Sequence, residues 1–119
     1  MFTYINAGHN QPILRRGNGN IERLDVGGLP IGIQPEAQYQ SASVRLVPGD
    51  WLVIFTDGLV EAINKSEEEY GEERLMGVIA ANTAAQPPEM LNRMMTALDG
   101  FVGTTPQHDD VTCLLIKAA

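Results

Sequence analysis

Pro48-Gly49-Asp50-Trp51-Leu52-Val53-Ile54-Phe55-Thr56-Asp57-Gly58-Leu59-Val60-Glu61-Ala62-Ile63-Asn64 carries the pattern around which the rest of the chain is arranged. A Pro-Gly-Asp turn opens it, and Trp51 to Thr56 is almost wholly apolar. A short apolar run bounded by a turn reads as a strand buried on both faces. Leu59, Val60, Ala62 and Ile63 then share one helical face, which leaves Glu61 and Asn64 outside. Asp57 is thereby placed at the tip of a rigid strand, where the chain turns into a short helix. Two readings follow for it: a cap on that helix, or a functional carboxylate fixed by the strand and open to solvent.

Upstream of this stretch the signals are those of strands and hairpins. Phe2 to Ala7 reads as a strand, the turn Gly8-His9-Asn10-Gln11-Pro12 follows, and Ile13-Leu14 begins a second strand. Gly17-Asn18-Gly19-Asn20 is a hairpin turn, because glycine and asparagine tolerate positive φ. Ile21 to Val26 reads as a short strand, half-buried at best. Gly27-Gly28-Leu29-Pro30-Ile31-Gly32 lacks the spacing of a phosphate-binding fingerprint and reads as a loop where backbone passes close to something. From Tyr39 to Val47, Ala42, Val44 and Leu46 alternate with polar residues in the manner of a strand.

Downstream the period changes. Lys65 to Glu69 is a polar, acidic loop, and Glu72 to Ala81 reads as a helix carried by Leu75, Val78 and Ile79. Pro87-Pro88 opens a second helix, where proline is tolerated. Its stripe of Met90 or Leu91, Met94, Met95, Leu98, and Phe101 or Val102 suits core packing, with a pliable partner surface as the alternative. His108-Asp109-Asp110 leads into a last strand, Val111 to Ile116. The expected order is β-β-β-β-β-α-α-α-β, an α+β fold with a largely antiparallel sheet.

A chain of 119 residues is long enough for one domain and too short for two. Its net charge of −7 disfavours nucleic acid or anionic membranes as partners. The lone Cys113 rules out an internal disulfide and sits in an apolar run, as a small buried hydrophobe would. No run is long enough for a membrane span and no secretory leader opens the chain, so a cytoplasmic location is expected.

The chemistry concentrates in carboxylates. Asp57 ends one strand and Asp109-Asp110 begins another; if the two strands are adjacent and antiparallel, these ends meet at one sheet edge. Carboxylates gathered there repel one another unless a proton or cation intervenes. Oxygen ligands suit Mg2+ or Mn2+, which polarise phosphoryl oxygens and activate water. An acidic turn is the plainer reading of Asp109-Asp110. His9 and His108 are turn histidines or candidate acids and ligands. Asp50 reads as structural. No Ser-His-Asp arrangement and no Cys/His metal spacing is present.

Taken together, the motifs resemble the bacterial metal-dependent serine/threonine phosphatases of the stage II sporulation E type, relatives of the type 2C phosphatases. The matching pieces are Tyr4-Ile5-Asn6-Ala7-Gly8-His9-Asn10, Gly28-Leu29-Pro30-Ile31-Gly32, Gly49-Asp50-Trp51, and Phe55-Thr56-Asp57-Gly58-Leu59-Val60-Glu61-Ala62. Tyr70-Gly71-Glu72-Glu73-Arg74-Leu75 and His108-Asp109-Asp110-Val111-Thr112 complete them. The resemblance implies an antiparallel β-sandwich flanked by helices, with a two-metal site at one sheet edge. It implies that Asp57 and Asp109 are ligands of Mn2+ or Mg2+. Asp110 takes a ligand or supporting role, and Gly58 supplies the backbone turn. It further implies hydrolysis of phosphoserine or phosphothreonine by a metal-activated water, with phosphorylated anti-anti-sigma factors of partner-switching pathways as typical substrates.

The family's N-terminal half carries a further Asp-bearing strand, and no counterpart lies upstream of Phe2. The resemblance therefore covers the C-terminal half of the domain, so that residues 1–119 are expected to form a single partial phosphatase domain with an incomplete metal shell, inactive or weakly active by itself. A sheet edge left open in this way invites a homodimer. The alternative reading is a non-catalytic interaction module built on the same fold.

Overall fold

The computed structural model describes residues 1–119, and its elements follow the expected order. They are β1 (Phe2–Ile5), β2 (Ile13–Arg15), β3 (Ile21–Arg23), β4 (Ser41–Val44), β5 (Trp51–Phe55), α1 (Asp57–Val60), α2 (Gly71–Ala81), α3 (Pro87–Val102) and β6 (Cys113–Lys117). The strands form a two-stranded sheet, β1-β4, and a four-stranded sheet in the order β3-β2-β5-β6. Two compact units result: residues 1–54 with 116–119, and residues 55–115.

In the first unit, β1 and β4 pair antiparallel from Phe2 opposite Val44 to Ile5 opposite Ser41. β2 pairs antiparallel with both β3 and β5, with Leu14 opposite Glu22 on one side and Leu52 on the other. Leu14, Leu24 and Leu52 are buried together, with Phe2, Tyr4, Val44, Leu46, Ile54 and Ile116 against them. Burial of each leucine contributes about 1.5–3 kcal/mol relative to exposure. By alternation Trp51 and Val53 point to the opposite face of β5, and both are also fully buried. The strand is covered on both sides, as its unbroken apolar run requires. β3 is shorter than expected and exposed throughout, because it is an outer strand.

The turn before β5 is locked by Asp50, which is 1% exposed. Its carboxylate accepts hydrogen bonds from the N–H groups of Gly17 (3.0 Å) and Val47 (2.9 Å). It also pairs with the Arg16 guanidinium at 2.7 Å, and Arg16 reaches Glu22 and the Arg45 carbonyl as well. Burial pushes this carboxyl up, but the two N–H donors and the guanidinium outweigh it and hold Asp50 below the usual carboxylate range. The structural reading of Asp50 holds.

The glycine-rich loop does bring backbone close to backbone. Ala7 and Gly28 form a parallel bridge, and a β-carbon on Gly8 would stand 2.8 Å from the Pro30 nitrogen. Gly8 also has a φ of 90°, so both space and conformation require glycine there.

In the second unit, α1 is a single turn. The expectation that its apolar face runs on through Ile63 is not met, because the chain leaves the helix to make a β-bridge between Ile63 and Glu69. The Ala62 carbonyl then accepts from the Tyr70 N–H at 2.7 Å, and the Asn64 side chain accepts from the N–H groups of Ser66 and Glu68. α2 buries Leu75 and Ile79, and α3 buries Met90, Met94 and Leu98. Met90 and Met94 are core residues, as the packing reading has it, while Met95 beside them stays half-exposed. Tyr70 meets Phe101 edge-on at 5.3 Å between ring centroids, and the Arg74 guanidinium stands 4.4 Å from the Phe101 centroid.

Candidate metal-binding edge

Thr56 and Thr112 hold the end of β5 against the start of β6. The Thr56 N–H donates to the Thr112 carbonyl at 3.0 Å, and the Thr112 N–H donates to Thr56 Oγ1 at 3.1 Å. The pairing is antiparallel, which sets Asp57-Gly58 beside Asp109-Asp110. Gly58 is buried in that junction: a β-carbon there would lie 2.8 Å from the Asp110 carbonyl carbon and 3.5 Å from that of Asp109. Gly58 lacks a side chain because the Asp109-Asp110 backbone occupies the space where one would go.

Asp57 is the first residue of α1 and not its N-cap; Thr56 holds that position and makes no side-chain cap bond. The carboxylate of Asp57 sits in the first turn, exposed, at the positive end of α1. Asp109 Oδ1 accepts from the Asp110 N–H at 2.8 Å, and the Gln107 amide donates to the Asp109 carbonyl at 2.7 Å. Asp109, Asp110 and His108 are exposed. The edge thus has a hydrogen-bonded backbone and solvent-exposed acidic side chains.

His9 belongs to the first unit, where its N–H donates to Asn6 Oδ1 at 2.7 Å and the Asn6 amide donates to the His9 carbonyl at 3.1 Å. Its Nδ1 donates to the Asn10 carbonyl at 2.9 Å. The turn reading of His9 accounts for these bonds. The Thr56–Thr112 clamp went unread in the sequence, although both threonines stand inside the two acidic motifs.

Carboxylate oxygens are the donors a hard cation takes, and two acidic strand ends are brought together here. No group of three or more His, Cys, Asp or Glu side chains is arranged to hold a metal ion. In kind the residues fit Mg2+ or Mn2+; in number they supply part of a shell, the remainder of which such cations commonly fill with water or other oxygens.

The chain belongs to the Stage II sporulation protein E family, whose description matches residues 1–119. It is 32% identical over 114 residues to Protein IcfG of Synechocystis, covering 96% of this chain and 18% of that protein. It is 27% identical over 118 residues to the phosphoserine phosphatase RsbU of Bacillus subtilis, covering 98% of this chain and 34% of RsbU. The chain therefore spans about a fifth to a third of the length of these relatives. Its fold is that of the PP2C phosphatases: the SiaA-PP2C domain of Pseudomonas aeruginosa superposes with a TM-score of 0.75 at 21% identity, over 92% of this chain and 43% of that domain. A more distant neighbour, RsbX in complex with magnesium, gives a TM-score of 0.52 at 22% identity, over 95% of this chain and 47% of RsbX.

Proposed function

We propose that the chain takes part in metal-dependent hydrolysis of phosphoserine or phosphothreonine on a protein. The observation that carries this reading is the junction of Gly58 with the Asp109-Asp110 backbone, which brings the acidic segment after β5 against the one that leads into β6. Asp57 and Asp109 would hold Mn2+ or Mg2+, with Asp110 as a further ligand or a support. When bound, such a cation polarises a phosphoryl oxygen and lowers the pKa of bound water. Gly58 and the two threonines keep the carboxylates in register, and Gln107 fixes the Asp109 carbonyl. The membership in this family, the name of RsbU and the magnesium complex of RsbX all support the reading.

The substrate class that fits is a small phosphorylated regulator of the anti-anti-sigma kind, in a partner-switching pathway. No helix is long and apolar enough to cross a membrane, and a cytoplasmic place is proposed on that pathway's account. β3 and β6 are the outer strands of the four-stranded sheet, where a second copy would pair if the chain dimerises.

Calorimetric titration with Mn2+, with Asp57→Asn and Asp109→Asn as controls, tests the proposal. Metal binding lost in both variants supports it; binding indifferent to both would sink it and leave the non-catalytic module as the better account.

A further inference from the structure

A recess of about 160 Å3 opens in the second unit beside the acidic edge, lined by Gly58 and Asp109 at one end. That volume suits one aliphatic side chain. Its walls are largely apolar, Met95, Leu98 and Val102 from α3 with Ile63 and Val111, while Gln107 and His108 add polar groups. The ionisable side chains that line it are Glu61, Asp99, Asp109 and His108, three carboxylates to one imidazole, and no lysine or arginine does. Asp99 stands in the last turn of α3, which carries no basic residue, so the negative end of the helix adds to its charge.

We infer that this recess receives the side chain of a lysine or arginine from the protein on which the chain acts. An apolar stem with a cationic head matches an apolar cavity with carboxylates at its margin. A purely apolar guest would strip water from carboxylates without pairing them, and a phosphate or acidic side chain would be repelled. The pairing does not depend on Asp109: with that carboxylate engaged by a metal ion, Glu61 and Asp99 still line the recess. The inference extends the proposed function by naming a feature of the substrate, a basic residue near the phosphorylated one, and rests on that proposal only for what the partner is.

The test is a methyl-NMR titration of the full chain with N-acetyl-lysine amide, and with the norleucine amide as the neutral isostere. The lysine probe should shift the methyl signals of Met95, Leu98, Val102 and Val111. It should bind about fivefold more tightly than norleucine amide, lose about that factor in Asp99→Asn or Glu61→Gln, and weaken as salt rises. Both carboxylates are exposed, so neither variant threatens folding. Equal affinity for the norleucine amide, or shifts confined to other methyls, would overturn the inference. Asp57→Asn should leave the lysine titration unchanged, so a failure of the metal proposal and a failure of this one are told apart.

Discussion

Gly58 packs against the backbone of Asp110 so closely that a β-carbon at Gly58 would overlap the Asp110 carbonyl group. The φ of Gly58 is not among the positive values in the chain, so what demands glycine there is space. In an open helix, replacing glycine with alanine stabilises by about 1 kcal/mol. Here the sign reverses. Gly58→Ala should destabilise by about 1–3 kcal/mol, because the Asp109-Asp110 segment must move aside. Urea unfolding measures the loss, and a weakened response to Mn2+ should accompany it.

Asp50 gives the chain an acid-sensitive lock. Its carboxyl is held below its ordinary value, so its contribution is complete above about pH 4, where the unfolded carboxylate titrates, and is lost as pH falls toward the folded value. Urea midpoints measured from neutral to acid pH should fall in that window, and Asp50→Asn should flatten the fall.

Asp50→Ala should cost about 3 kcal/mol at neutral pH, since it leaves the Gly17 and Val47 N–H groups without their acceptor. The lower end of the range for a broken buried pair applies, because the Arg16 side chain keeps 21% of its exposure and can turn to water. Thermal unfolding at pH 7 reads it.

Cys113 should be inert. Burial pushes its thiol up to about 11, so at pH 8 its thiolate is scarcer than that of free cysteine by about two orders of magnitude. Labelling with a thiol reagent should be slow by a similar factor until denaturant is added.

Manganese should bind the chain weakly, because fewer than three ligating side chains are gathered in any one place. Calorimetry should give a dissociation constant of millimolar order, about 4 kcal/mol of binding free energy, and Asp57→Asn should remove it.

Much of this was legible in the residues, and the exceptions share a cause. The apolar run from Trp51 to Phe55 could only be a strand covered on both faces, and the Leu75-Val78-Ile79 spacing could only be helical; both are local periods, read without a partner. The single turn of α1 was overextended, because the bridge from Ile63 to Glu69 competes for the same backbone and periodicity does not register it. The methionine stripe on α3 had two readings until its burial was known.

The amino-acid order alone set the succession of strands and helices, the hairpin at Gly17-Asn18-Gly19-Asn20, and the placing of Asp57 just after β5, since each depends on neighbours a few residues away; the last strand begins at Cys113, later than the expected Val111, so Asp109 stands in the segment that leads into it. Whether those two ends meet depends on a pairing between Thr56 and Thr112, residues 56 apart in the chain. Adjacency across such a distance is decided by which strands hydrogen-bond to which, and by the absence of a side chain at Gly58 that lets the Asp109-Asp110 backbone in. The acidic motifs are local to the sequence; the contact between their backbones belongs to the fold.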